Sequence, residues 1–174
     1  MATSRGRRAR LRLRTLVRWP WYFETTPVSR SEILLRRIPN FQNYCFSEES
    51  TGKLVVALDA FKPNRSRDTD GMSFYREDFT TREEVASDHP PAVGARVARV
   101  TVQELTALGI KEIITDPQDG PAGHVYIPAL RYVDRNTLTK DEKRERDKIS
   151  FALAQHATKN GLWARPGLAD PVKM

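Results

Sequence analysis

The sequence predicts an α+β fold: a mostly antiparallel sheet packed on one long C-terminal helix, with short helices between strands. Three observations carry this. Strand-like segments are grouped, and the helical segments come mostly later, which is the order of an α+β domain rather than of a repeating βαβ unit. A single helical segment near the end is long enough to cover a sheet face. The 174 residues match one domain and can bury a core without disulfides or metal staples. The 39% hydrophobic and 29% charged composition excludes a multi-span membrane protein, a collagen and a coiled coil. No run of about 18 apolar residues is present, so no transmembrane segment is expected. The single cysteine, Cys45, excludes a disulfide framework and a thiolate metal cluster.

Each element follows from local chemistry. Thr25-Thr26-Pro27-Val28-Ser29 has the composition of a linker. Ile33–Ile38 is a first strand, closed by Pro39-Asn40; extended backbone sends Arg36 and Arg37 to opposite faces. Residues 41–46 are aromatic and irregular, with Cys45 a small buried hydrophobe, and 47–52 form a polar turn. Lys53–Phe61 is a strand candidate. Residues 62–70 form a charged loop expected to be mobile. Gly71–Arg76 alternates Met72, Phe74 and Arg76 against Ser73 and Tyr75. Thr81 and Glu84 have capping-box spacing at the start of a short helix, ended by Ser87-Asp88-His89-Pro90-Pro91. Ala95–Val102 is β-branched and alternating. Thr101 caps a second short helix, with Glu104 in the box position, Leu105 and Leu108 inward and Gly109 as the stop. Ile110–Thr115 is a short strand, and residues 116–123 are dense in turn formers. His124–Leu130 is a strand whose Pro128 places it at an edge or bulge. Thr139–Asn160 is the long helix, with a Thr139/Glu142 box, an apolar stripe of Ile149, Ala152, Leu153, His156 and Ala157, and Gly161 at its end. Leu162 and Trp163 turn back to pack.

The domain reading is therefore a basic arm over 1–28, one α+β domain over 29–165 and a tail over 166–174. Charge separates the first two. Residues 1–23 contain Arg5, Arg7, Arg8, Arg10, Arg12, Arg14 and Arg18 with no acid and no lysine, and the remaining 22 basic and 22 acidic residues leave the body formally neutral. The whole +7 charge belongs to the arm. Such an arm suits nucleic-acid phosphates, an anionic membrane surface or organelle targeting. It also suits a solubilising tail, or a translated stretch ahead of a start at Val17 or Val28. Trp19 and Trp21 flank Pro20 beside the arginines, which is the chemistry of a single-strand platform, with rings for bases and guanidinium groups for phosphates. The same cluster can instead fold back on the core.

His124, at a loop-to-strand junction, is the functional candidate among the three histidines, because such junctions place side chains at sheet edges. Asp116, Asp119 and His124 form a polar group able to pair carboxylate with imidazole, in a sequence that is also ordinary turn chemistry. His156 on the helix stripe is expected to be a hydrogen-bonded core residue. The mixed charges of residues 140–148 form a solvated face. The chain has no P-loop, dinucleotide glycine fingerprint, Gly-x-Ser-x-Gly elbow, His-Glu-x-x-His or EF-hand.

Four segments carry a resemblance. Leu35-Arg36-Arg37-Ile38, Ala60-Phe61-Lys62, Met72-Ser73-Phe74-Tyr75-Arg76 and Gly123-His124-Val125-Tyr126-Ile127 are similar to a pattern in a group of small uncharacterised bacterial proteins. The likeness spans about residues 33–130, implies a fold boundary there and brings no activity with it. The layout also resembles ADP-ribosyltransferase-like folds, which place an Arg or His on a first strand, a Ser/Thr or Tyr on a middle strand and a Glu late. That resemblance assigns Arg36 or Arg37 and Tyr75 to the first two places. No Glu-x-Glu follows, and His124–Leu130 contains no acid, so the third place is unfilled.

Two functions follow as expectations. One is a non-enzymatic accessory module of the cytoplasm, or of an organelle if the arm is a targeting peptide. Its Arg-rich arm contacts nucleic acid or a nucleoprotein complex, with a protein partner also compatible. The other is a small nucleotide- or nucleic-acid-modifying enzyme acting through Arg36, Arg37, Tyr75 and His124 in a basic pocket. No cofactor and no metal are expected in either. Convergence of those four residues on one concave pocket favours the enzyme, and scattering favours the module.

Overall fold

The computed structural model describes residues 26–87, 94–117 and 121–168. The arm residues Arg5 to Trp21, together with His89, Asp119 and residues 169–174, lie outside the described residues. The described residues form a six-stranded sheet, a separate two-stranded hairpin and three α-helices. The strands are β1 (Ile33–Pro39), β2 (Cys45–Ser47), β3 (Leu54–Val56), β4 (Met72–Arg76), β5 (Ala95–Thr101), β6 (Ile114–Thr115), β7 (His124–Ile127) and β8 (Trp163–Ala164). The helices are α1 (Arg82–Ser87), α2 (Val102–Ala107) and α3 (Lys140–Asn160). The large sheet runs β6-β7-β4-β1-β5-β8 with every neighbouring pair antiparallel. The α+β architecture expected from the sequence is the one observed.

Period-two alternation divides the sheet into two faces. Leu34, Ile38, Met72, Phe74, Ala98, Val100, Val125 and Ile127 form the larger core with Leu153, Ala154 and Ala157 of α3. Leu35, Tyr75 and Val97 face the other way onto Val85 and Ala86 of α1. The helix starts are as read. Thr81 and Glu84, Thr101 and Glu104, and Thr139 and Glu142 each exchange reciprocal side-chain and backbone hydrogen bonds. Each box satisfies two amide donors that a helix N-terminus leaves without an intrahelical acceptor. At the other end of α3, Gly161 has φ +79°, a conformation that β-carbon sterics disfavour in other residues.

Several boundaries differ, for physical reasons. The strand expected over 53–61 ends at Val56, and Leu58–Phe61 forms a 3-10 turn that puts Ala60 and Phe61 into the core. The irregular aromatic stretch contributes β2, because Cys45–Ser47 pairs with Leu54–Val56 across the polar turn. Pro128 ends β7 and begins a 3-10 turn, so the strand has no proline in its ladder and lies between β6 and β4 rather than at an edge. The strand expected over 110–115 is reduced to Ile114–Thr115. On α3, Ser150 and Ala154 are buried alongside Leu153 and Ala157, and the Ser150 hydroxyl donates to the Phe61 carbonyl at 2.9 Å. His156 is half-buried, with Nδ1 3.2 Å from Glu104 Oε1.

The start of the domain is clamped. Arg76, on the last position of β4, donates through Nε and Nη2 to the two Glu32 carboxylate oxygens at 2.7 and 2.9 Å. Its Nη1 donates to the Thr26 carbonyl at 2.8 Å, and the guanidinium lies 4.5 Å from the centre of the Phe79 ring. Val28 packs on the main core. Residues read from sequence as linker thus contact the folded body.

Candidate functional site

β1 is central in the sheet, but its two edges are used differently. With β5 it pairs without interruption from Ile33↔Thr101 to Pro39↔Ala95. With β4 it pairs at Leu34↔Arg76 and Leu35↔Tyr75, beyond which β4 continues with β7. The two central strands therefore part after Leu35. A cleft of about 580 Å³ opens where they separate, walled by β1, β4, β7 and the segment 59–68.

Arg36, Arg37, Tyr75 and His124 all line this cleft. Arg36 and Arg37 leave β1 on opposite faces, as expected, yet both reach it because it opens within the line of the sheet rather than over one face. Each segment of the four-part sequence pattern supplies lining residues: Arg36 and Arg37, Ala60 and Lys62, Ser73 and Tyr75, and His124. The strand order explains this, since β1, β4 and β7 are neighbours and the 3-10 turn at 58–61 abuts them.

Arg36 is the electrostatic centre. Its Nη1 donates to the Ser73 carbonyl at 2.8 Å, on the residue level with Arg37 had the ladder continued. Its guanidinium carbon lies 5.6 Å from the Phe74 ring centre, and Nη1 lies 4.0 Å from Asp68 Oδ1. Its buried Nε has no hydrogen-bond partner. Burial pushes the guanidinium pKa down to about 10; Asp68 opposes this, while Arg67 and Arg37 add to it by like-charge repulsion. The group stays cationic at neutral pH, incompletely solvated and incompletely paired. Four cations (Arg36, Arg37, Lys62 and Arg67) face two carboxylates (Asp59 and Asp68) around the cleft. Lys62 is already held by Asp59 at 2.6 Å. With Arg37 left out of the count, Arg36 and Arg67 still face the single carboxylate of Asp68, so the described lining carries a positive surplus that suits an oxyanion.

His124 is 6% exposed, which differs from the partly exposed edge group that the sequence suggested. The reason is the position of β7 inside the sheet. Directly across from it is Tyr75, whose ring meets the imidazole edge-on at 5.4 Å between centres. His124 Nδ1 lies 3.0 Å from the Asp116 carbonyl and 3.3 Å from Asp116 Oδ2. A carbonyl only accepts, so that bond puts the proton on Nδ1 and leaves Nε2 as the basic nitrogen of the neutral ring. Of the acidic residues suggested as partners, Asp116 is thus in place and Asp119 lies outside the described residues.

Sequence reasoning missed the segment 59–68. Composition predicts a mobile charged loop from Lys62, but the segment is the pinned wall of the cleft. Asp68 is 2% exposed; its Oδ2 accepts the Asn64 amide at 2.7 Å and its carbonyl accepts the Tyr132 amide at 2.6 Å. A Lys/Arg/Asp-rich segment is ordinary solvated loop composition, so burial of one aspartate has no local signal. Tyr44 was missed for a related reason: it comes from the connection between β1 and β2, which carries no strand periodicity.

Among the described residues, no group of three or more histidine, cysteine or carboxylate side chains converges as a metal site would, and no helix is long and apolar enough to cross a membrane. The chain matches no protein-family model, no curated protein and no solved structure.

Proposed function

We propose that the cleft recognises the phosphate of a nucleotide, free or at the end of a nucleic acid, and that the chain is a small modifying enzyme for such a ligand. The observation that supports this most is the meeting of Arg36, Arg37, Tyr75 and His124 in one cleft with a surplus of positive charge. In this reading the Arg36 fork and Arg67 take the phosphate, as guanidinium groups suit its paired oxygens. Tyr44 and Tyr75 offer ring surface to the base or sugar. His124 Nε2 is the general base, with Nδ1 held by Asp116. The resemblance to ADP-ribosyltransferase-like folds agrees with the arginine and tyrosine places but supplies no late glutamate, so the chemical step is assigned to the imidazole.

Calorimetric titration with a nucleoside 5′-monophosphate and with the parent nucleoside tests the reading. The monophosphate should bind and the nucleoside should not. Arg36→Lys keeps the charge but loses the fork, and should weaken binding by about tenfold, the equivalent of roughly 1.4 kcal/mol. His124→Asn should retain binding and lose turnover. Equal affinity for the two ligands would refute phosphate recognition.

The charge distribution favours a second, compatible reading: the Arg-rich arm contacts nucleic acid or a nucleoprotein complex, since it alone carries the +7. Engagement of about four to seven phosphates gives a log–log salt slope of roughly −3 to −6, and Ser at Arg8, Arg10, Arg12 and Arg14 should flatten it by about three. No binding at about 50 mM salt would end this reading.

A further inference from the structure

The two carboxylates of the cleft stand in different surroundings. Asp59 is half-exposed and paired with Lys62 at 2.6 Å. Asp68 is buried, and only one of its carboxylate oxygens is hydrogen-bonded among the described residues. Oδ2 accepts the Asn64 amide at 2.7 Å. Oδ1 faces Arg36 Nη1 at 4.0 Å, which is a charge contact beyond hydrogen-bond reach, and that Nη1 already donates to the Ser73 carbonyl. The carboxylate is also held in place. The Asp68 amide donates to the Asn64 carbonyl at 2.9 Å, and the Asp68 carbonyl accepts the Tyr132 amide.

A carboxylate taken out of water is costly unless its oxygens find donors, and an ionised one can only accept. Asp68 Oδ1 therefore calls for a donor, in a cleft whose surplus of cations calls for an anion. A bare oxyanion would meet Arg36 and the like charge of Asp68 together, since the two lie 4.0 Å apart. A ligand that carries a neutral O–H close to its anion satisfies both. In a nucleotide that group is the sugar, which is bonded directly to the phosphate and carries the hydroxyls, whereas the base lies beyond it.

We propose that Asp68 is a specificity-determining residue: its carboxylate accepts a hydrogen bond from a sugar hydroxyl of the nucleotide whose phosphate lies at Arg36. This rests on the phosphate-recognition reading of the cleft. It narrows the ligand to a nucleotide with a free sugar hydroxyl.

Calorimetric titration of the full chain with adenosine 5′-monophosphate and with its 2′,3′-dideoxy form tests this. The two ligands share phosphate and base and differ only in the hydroxyls. The dideoxy form should bind about tenfold more weakly, the effect of losing a hydrogen bond to a charged group. Asp68→Asn keeps the size of the side chain and an oxygen for the Asn64 amide, but removes the charge. It should reduce the preference to about threefold or less by weakening the hydroxylated ligand, because a neutral contact is weaker than a charge-assisted one. Affinity for the dideoxy form should hold or rise, since a like charge is gone, and this also shows that the cleft is intact. Equal affinity of the unaltered chain for the two ligands overturns the proposal without any variant. So does a preference that survives Asp68→Asn in full. Failure of both ligands to bind the unaltered chain would instead overturn the reading of the cleft itself.

Discussion

The two edges of β1 differ: one is paired from end to end, and the other opens into a cleft. Along β5 the backbone is paired from end to end, and Leu34, Ile38, Ala98 and Val100 interlock over α3. Along β4 the ladder stops after Leu35, and a side chain, the Arg36 guanidinium, reaches the Ser73 carbonyl across the gap. A backbone ladder satisfies its own polar groups and leaves nothing to offer a ligand. Each side leaves one buried guanidinium Nε without a partner, Arg36 on the interrupted side and Arg99 on the paired one, but around Arg36 the like charges of Arg37 and Arg67 gather and a cleft lies open. An unsatisfied buried donor destabilises the fold modestly, and that same deficit makes the place receptive to an anion.

Substitutions on the two sides should therefore have separable effects. The largest loss of stability is expected on the paired side. Leu153 is fully buried between α3 and the sheet, and Leu153→Ala should cost about 3 kcal/mol within the usual range of about 2–5 kcal/mol. Denaturant unfolding measures this, and nucleotide affinity of the folded fraction should be unchanged. A concurrent loss of affinity would show that the two sides are not independent.

A smaller loss is expected at Gly71, just before β4 on the interrupted side. A β-carbon there would lie 2.6 Å from the Ile127 carbonyl oxygen and 2.8 Å from Tyr126 Cδ2. The obstacle is the backbone of β7, so β4 must move. Gly71→Ala should cost about 2 kcal/mol, in the range of about 1–3 kcal/mol for overpacking. It should also weaken nucleotide binding, because displacing β4 carries with it Ser73 and Tyr75. Stability lost with affinity intact would mean that the cleft tolerates movement of its wall.

The smallest effect concerns pH, on the paired side. Burial raises the Glu104 carboxyl pKa, but the Thr101 amide and hydroxyl, Asn160 and His156 outweigh it and hold the group below its ordinary 4.5. A folded-state value lower than the unfolded one gives stability that is present above pH 4.5 and is lost as the pH falls through the folded value. Glu104→Gln should flatten the acid limb of the stability curve in that window. Asp147 and Glu142 are shifted the same way, so some slope should remain. An unchanged slope in thermal or urea unfolding below pH 4.5 would remove Glu104 from the acid response.

Local chemistry made much of the fold legible. The three Thr-x-x-Glu boxes start helices because they depend on atoms three residues apart. β1, β4 and β5 follow from alternation and β-branched residues, and Gly161 ends α3 by its own backbone freedom. The short strands β2 and β8 were illegible because two or three residues make no period. Their pairing partners define them.

The candidate site divides in the same way. Arg36, Arg37, Tyr75 and His124 could be chosen from residue type and position on a strand, since a cation, a phenol and an imidazole carry their chemistry wherever they lie. Whether they meet depended on the strand order β7-β4-β1 and on the parting of β1 from β4, which no local interaction encodes. The burial of Asp68 depended on where the segment 62–68 lies, with the Asp68 carbonyl accepting the Tyr132 amide from far along the chain. The sequence by itself determined which elements form, where the helices begin and that the excess charge is confined to residues 1–23, because each depends on near neighbours or on composition. Only the tertiary structure decided that a neutral body holds a cationic cleft, because surplus charge at one place arises when residues far apart in the chain are brought within reach of one another and kept from water.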